Sequence, residues 1–443
     1  MAGKKSSKQA NSIKVGIIGF GTVGSGTVEV LQKNRDIIRD RVGWEITVKK
    51  IADLDISSDR GISIDPDLLT TEAMEVIADP EIQIVVELIG GIDKAKEYIL
   101  RAMEKGKHVV TANKALLAEH GKEIYEAAEK NEVSLAFEAS VGGGIPVVRS
   151  LREGLSANRI HSIMGILNGT SNYILTRMTQ KGLPYTKAVE EAIEHGYAED
   201  PPTLDVDGTD AAHKLAILIS IVFGVPVTFK DIYREGIDRL TPEDIQFAGE
   251  LGYCLKLLAI ARDLGDAVDA RVHPAMVPLN HIMANVNGVY NAIYMEGDFV
   301  GPNLYYGLGA GRKPTGSAVV SDLIYLARQI RQGIKQVIPP LAHVHPRRDK
   351  VLVQPVQELM TPYYFRFSAL DRPGVLSKIS GILGENGISI SSVIQKGRDL
   401  NGSVPLVMLT HEAKESNVIN ALSQMNGLEI LTDKTMMIRV EAS

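Results

Sequence analysis

Ile13-Lys14-Val15-Gly16-Ile17-Ile18-Gly19-Phe20-Gly21-Thr22-Val23-Gly24 is a β-branched run that breaks into a glycine turn and opens a helix. In that strand, turn and helix setting a GxGxxG match favours dinucleotide binding over a plain turn. The glycines permit the tight turn and let backbone amides approach a pyrophosphate, whose charge then sits at the helix N-terminus. Gly19, Phe20, Gly21, Thr22, Val23 and Gly24 are therefore candidate cofactor residues.

Outward from this loop, the short runs Ile46–Ala52, Ile82–Leu88, Lys107–Thr111 and Val133–Phe137 alternate with amphipathic stretches, as a parallel sheet covered by helices requires. The second strand ends at Asp53, placed to accept hydrogen bonds from a ribose; a solvated strand-end aspartate is the equal alternative. Lys49 and Lys50 nearby suit a 2′-phosphate, so NAD and NADP both stay open. Lys114 follows the fourth predicted strand and faces the nicotinamide or the substrate. As a plain surface residue it would sit unfavourably at a helix start.

The rhythm changes after Ser140. The chain divides into a disordered tail at 1–11, a dinucleotide-binding domain at 12–140 with 310–338 packing back onto it, and an α+β substrate and dimerisation domain at 141–338. A linker at 339–361 and a βαββαβ segment at 362–443 complete it, with Asn401-Gly402 as a hairpin signal. Thr203–Gly224 reads as one long buried helix, Leu257–Pro278 as one or two strands, and Ser317–Gln332 as an amphipathic helix.

The 443 residues carry 48 basic and 54 acidic side chains, a net charge of -6 that gives no field for nucleic acid. Hydrophobic residues at 44% and charged residues at 23% are those of an ordinary globular protein. A single cysteine, Cys254, gives no sign of an oxidising compartment. The longest apolar stretch, Leu215–Val227, is too short for a bilayer, so the expected location is the cytoplasm with no membrane partner.

Asp210 and Lys214 stand four apart on the helix that precedes this apolar stretch, and so share a face. A partly desolvated lysine beside an acid suits proton donation to a carbonyl oxygen as hydride arrives at carbon; an exposed ion pair is the nearly even alternative. His213 is a lesser candidate. Glu138-Ala139-Ser140-Val141-Gly142-Gly143-Gly144-Ile145 joins a carboxylate to a glycine loop, which suits a hard cation or merely turns between domains. Gly309–Ser317 is a second glycine loop entering a helix.

Together these stretches resemble homoserine dehydrogenase over roughly residues 13 to 340. The resemblance rests on Gly19–Gly24, Thr111-Ala112-Asn113-Lys114-Ala115-Leu116, Leu167-Asn168-Gly169-Thr170-Ser171-Asn172-Tyr173-Ile174-Leu175, and above all on Gly196-Tyr197-Ala198-Glu199 with Thr203–Asp210 and Lys214. It implies NAD- or NADP-dependent interconversion of homoserine and aspartate 4-semialdehyde, on the path to threonine, methionine and isoleucine. Lys214 is then the proton donor, with Asp210 catalytic beside it. Glu199, Asp210, Lys114, Asp205 and Thr170 are on the substrate side, and Gly196 and Gly316 line the cofactor. A sodium ion is implied at Glu138, Val141, Gly143 and Ile145, the last three through carbonyls, and a homodimer or tetramer through the substrate domain's sheet. Pro201-Pro202 replaces the family's usual Asp-Pro pair beside Glu199.

The C-terminal segment resembles an ACT domain through Leu370-Asp371-Arg372-Pro373-Gly374-Val375-Leu376 and Asn386-Gly387-Ile388. This implies an amino-acid effector, threonine in this pathway, at Asp371, Gly374, Val375, Leu376, Asn386 and Ile388. The expected fold is therefore α/β, with a Rossmann-type domain, an α+β domain and a ferredoxin-like ACT domain. The alternative function is an amino-acid-sensing regulator on an inactive dehydrogenase scaffold.

Overall fold

The computed structural model describes residues 12–334, 338–345, 351–396 and 402–441. The tail at 1–11 and Asn401 of the expected hairpin lie outside the described residues. Two compact units emerge. The first takes in the described residues up to Ile160, His213–Phe229 and Glu296–Val351; the second takes in His161–Ala212, Lys230–Met295 and the described residues from Leu352 on.

In the first unit β1 (Ser12–Ile18), β2 (Glu45–Ala52), β3 (Leu69–Thr70), β4 (Ile84–Glu87), β5 (His108–Thr111) and β6 (Leu135–Ala136) form one sheet. Its order is β3-β2-β1-β4-β5-β6, parallel throughout. The chain winds in both directions from β1, so the carboxyl end of β1 is the switch point where ligands of such sheets bind. Ile13, Val15 and Ile17 are fully buried, as both faces of a parallel sheet must be when helices cover them. The helix Arg312–Arg331 supplies Val319, Leu323 and Leu326 to that same apolar cluster. It starts five residues before the expected Ser317, because Pro314 is tolerated in a first turn, where its missing N–H has no helical partner.

The expected helix Thr203–Gly224 is two pieces, Thr203–Val206 and Thr209–Phe223. Gly208 adopts φ +85°, and Asp207 accepts from the Thr209 N–H at 2.8 Å to start the second piece. A cap with a left-handed glycine restarts the helix where apolar periodicity alone runs on.

In the second unit Ile160–Ile166 pairs with Tyr253–Asp263, which pairs antiparallel with Val268–Pro278. The C-terminal strands follow the order Met436–Val440, Tyr363–Leu370, Ser403–Thr410, Ile390–Gln395. This is the 4-1-3-2 arrangement of a βαββαβ fold, with Val375–Glu385 and Glu415–Met425 as its helices. The last strand also pairs parallel with Val268–Pro278, Ala275 facing Arg439 and Met276 facing Val440. The C-terminal segment thus continues the substrate-side sheet instead of hanging from a tether.

Candidate active site

Three glycines of the first loop do three different things. Gly19 takes φ +105°, and a Cβ there would lie 2.5 Å from the Leu88 carbonyl carbon. At Gly24 a Cβ would lie 2.1 Å from the Gly19 carbonyl oxygen, so the helix start could not close on the strand. Gly21 has nothing within 4 Å of an added Cβ. It is the N-cap of the helix Thr22–Lys33 and offers no side-chain cap for that helix's first-turn amides. An open side at Gly21 with uncapped amides behind it is the cradle a pyrophosphate fits.

Asp53 holds this loop. One carboxylate oxygen accepts from the Phe20 N–H, and the other from the Asp55 N–H at 2.9 Å. Lys49 is paired with Asp79 at 2.8 Å and also with Glu81, and Lys50 with Glu75 at 2.7 Å. The cation beside Asp53 is instead Arg60, at 4.0 Å, held by Asp55 at 3.0 Å. Arg60 carries no motif and was invisible in the sequence.

At the neighbouring strand ends Glu87, fully buried, accepts from the Thr111 hydroxyl at 2.7 Å and from the Ile89 N–H at 2.9 Å. Burial pushes its carboxyl above the usual range. The Asn113 amide donates to the Gly91 carbonyl at 2.6 Å, and its oxygen accepts from the Leu116 N–H at 3.1 Å to cap the helix that Lys114 opens. Two loops at the carboxyl edge of the sheet are thereby tied together, with Lys114 at their junction.

Gly316 packs closely on the helix Thr22–Lys33: a Cβ there would lie 2.7 Å from the Gly26 backbone. The Glu138 carboxylate accepts from the Val148 and Arg149 N–H groups at 2.9 and 2.8 Å. Burial, then the Asp322 charge, push it up to about 7. It therefore caps a helical turn. Gly142 and Gly143 take φ +71° and +56°, and a Cβ on Gly143 would lie 2.5 Å from the Gly309 backbone, so the second glycine loop packs on this one. Ile145 O accepts from the Val147 N–H at 2.8 Å. The Glu138 carboxylate is thus engaged with main-chain amides, and the Ile145 carbonyl already accepts a hydrogen bond.

In the second unit the Asn168 amide donates to Asp205 Oδ1 at 2.7 Å and to Asp210 Oδ2 at 2.9 Å. Asn168 also caps the helix Gly169–Lys181 by accepting from the Ser171 N–H at 2.7 Å. The sequence does not single out Asn168 within the Leu167–Leu175 stretch. The Thr170 hydroxyl donates to the Tyr197 carbonyl at 2.6 Å, which holds the turn at Gly196, where φ is +70° and the space about an added Cβ is empty. Glu199 is exposed. Asp210, in the second unit, and Lys214, in the first, lie one turn apart along the helix Thr209–Phe223, both buried. The His213 ring packs edge-on against Phe229, 4.4 Å between centroids.

Asp371, Gly374, Val375 and Leu376 line one cavity of about 420 Å³ with Arg372 and Gln395. Asn386 and Ile388 do not: Asn386 ends the helix that Gly374 begins, and Ile388 is core.

No helix among the described residues is long and apolar enough to cross a membrane. Family models match over residues 19–138 (homoserine dehydrogenase, NAD binding domain), 146–324 (homoserine dehydrogenase) and 363–427 (ACT domain). The Pseudomonas aeruginosa homoserine dehydrogenase is 45% identical over 97% of this chain and 99% of its own. The crystal structure of a homoserine dehydrogenase from Thiobacillus denitrificans superposes with a TM-score of 0.92 at 45% identity, covering 98% of this chain and 99% of that one. A hyperthermophilic archaeal homoserine dehydrogenase in complex with NADPH matches 71% of this chain and 98% of its own, with a TM-score of 0.61 at 26% identity. These matches do not favour an inactive scaffold; with the glycine cradle, the clamped aspartates and the C-terminal fold, they establish that the chain belongs to the homoserine dehydrogenase family, NAD(P)-dependent oxidoreductases, and carries an ACT domain.

Proposed function

We propose that this enzyme interconverts L-homoserine and L-aspartate 4-semialdehyde with Lys214 as the proton carrier. The observation that carries the reading is the single Asn168 amide holding Asp205 and Asp210 one helical turn from buried Lys214. When bound, the nicotinamide supplies or accepts the hydride. Lys214 Nζ takes the proton from the homoserine hydroxyl in oxidation and returns it to the aldehyde oxygen in reduction. Asp210 orients that lysine, while Asp205 and Glu199 hold the substrate's ammonium group. Thr170 shapes the Gly196–Glu199 turn. The Phe20–Asp53 bond holds the pyrophosphate loop; Arg60 is the partner for a 2′-phosphate, which makes NADP the preferred cofactor. Lys114 faces the nicotinamide or the substrate.

Main-chain oxygens of Glu138, Val141, Gly143 and Ile145 would hold a sodium ion that stiffens their loop. The enzyme acts in the cytoplasm as a homodimer or tetramer, in the synthesis of threonine, methionine and isoleucine. Threonine binds the cavity at Asp371 and inhibits. The left-handed Gly374, φ +88°, opens the helix Val375–Glu385 there, a setting that receives a carboxylate at its amides.

Lys214→Ala tests the chemistry: kcat for homoserine oxidation falls ~10²-fold or more while NADPH affinity is kept, because a general acid or base contributes that much in the transition state alone. Near-normal turnover removes the assignment. Asp371→Ala tests the regulation, expected to abolish threonine inhibition without changing uninhibited kcat.

A further inference from the structure

Several charged side chains of the second unit have no part in the reaction and are deeply buried. Arg439, on the last strand, is 1% exposed. Its Nε donates to Glu415 Oε2 at 2.9 Å, Nη1 to Glu235 Oε2 at 2.7 Å, and Nη2 to Glu415 Oε1 and to the Tyr233 hydroxyl, the latter at 3.1 Å. Its plane lies over the Tyr233 ring, 4.9 Å from the centroid. Glu415 belongs to the ACT domain and accepts also from the Tyr363 hydroxyl at 2.8 Å. Glu235 does not belong to it: it follows the short strand Tyr233–Arg234, and its N–H donates to the Val272 carbonyl at 2.9 Å. A guanidinium this far from water is tolerated only with its partners in place, and Glu235 is one of them.

The next two residues carry that placement toward the clamped aspartates. A Cβ on Gly236 would lie 2.6 Å from the Val206 carbonyl oxygen and 3.0 Å from Asp207 Cα. Ile237, fully buried, donates its N–H to the same Val206 oxygen at 2.9 Å. Val206 sits between Asp205, which Asn168 holds, and Asp207, which starts the helix of Asp210. Backbone touches backbone at this point, with no side chain able to relax between them.

We propose that Arg439 is a positioning residue for the substrate, acting through Glu235, Gly236 and Ile237 on the Asp205–Asp210 segment. The proposal rests on the assignment of Asp205 and Asp210 made above. It makes the last strand of the ACT domain a working part of the substrate unit, and it is distinct from any effector bound at Asp371.

The test uses the full chain, with homoserine and NADP kinetics beside NADPH titration. Gly236→Ala and Glu235→Gln are expected to raise the homoserine KM ~5-fold or more with NADPH affinity unchanged, and a Glu235→Gln/Asn168→Ala cycle to depart from additivity by ~5-fold in kcat/KM, as contiguous groups do. Gly249→Ala, where an added Cβ meets nothing within 4 Å, is the neutral control. Arg439→Lys keeps the charge and loses the two-pronged grip, so it reports the same KM change if Gly236→Ala does not fold. A wild-type homoserine KM in these variants, a fall in kcat alone, or strict additivity overturns the proposal. Asp205→Asn separates the two claims: an unaltered homoserine KM there removes the substrate assignment, whereas a damaged Asp205→Asn beside an unaltered Gly236→Ala removes only the role of Arg439.

Discussion

Asn168 donates its side-chain amide to Asp210 Oδ2 at 2.9 Å, and the direction of that amide is settled because its oxygen accepts from the Ser171 N–H. The same NH2 group reaches Asp205. One neutral side chain therefore holds two carboxylates that on their own would repel each other.

Asn168→Asp replaces that donor with a third carboxylate. kcat/KM for homoserine is expected to fall ~10²-fold or more, since a lost donor and a new like charge both act on the substrate side. NADPH affinity should not change. Steady-state kinetics and a fluorescence titration of the cofactor check both halves.

The glycine loop separates binding from folding. Gly21→Val should abolish NADPH binding with a nearly unchanged melting temperature, because its side chain enters space that the chain leaves open. Gly24→Val should lower the melting temperature as well, because a Cβ there meets the Gly19 carbonyl oxygen at 2.1 Å. Calorimetric titration and thermal melts on the two variants read the contrast; equal melting losses would contradict it.

Cofactor choice is expected to follow Arg60. Arg60→Ala should weaken NADPH ~10-fold or more relative to NADH, the scale of a charged hydrogen bond. Lys50→Ala should leave the ratio unchanged, since Lys50 is already paired with Glu75. The NADPH to NADH ratio of dissociation constants is the measurement.

His273 makes the second unit sensitive to acid. It is fully buried, and its Nδ1 faces the Pro274 carbonyl at 2.8 Å while its Nε2 accepts from Arg271 Nε at 3.0 Å. Burial first, then the Arg439 and Arg271 charges, hold its pKa well below 6.5. Below that value the unfolded chain takes a proton that the folded chain refuses, so stability is complete above pH 6.5 and falls as pH drops, by up to about 1.4 kcal/mol per unit for one proton. Urea unfolding at pH 7.5 and 5.5 should show this slope, and His273→Gln should flatten it.

Adjacent residues determined much of this protein without help. The β1 strand, the GxGxxG turn and the helix after it follow from local rules, and so does the alternation that makes the first sheet parallel. Asp210 and Lys214 share a helix face by spacing alone, and the C-terminal segment shows its own order of strands and helices. Tertiary structure decided what lies between distant residues. Asn168 meets Asp205 and Asp210 from 37 and 42 positions away, and Arg439 meets Glu235 from 204. Arg60, not Lys49 or Lys50, stands at Asp53, because which cation is already paired depends on the acids that folding brings to it. A polar, proline-marked stretch reads as a linker, yet the last strand joins Val268–Pro278. Strand pairing is a bond between backbones, which every residue carries alike, so no side-chain pattern announces it.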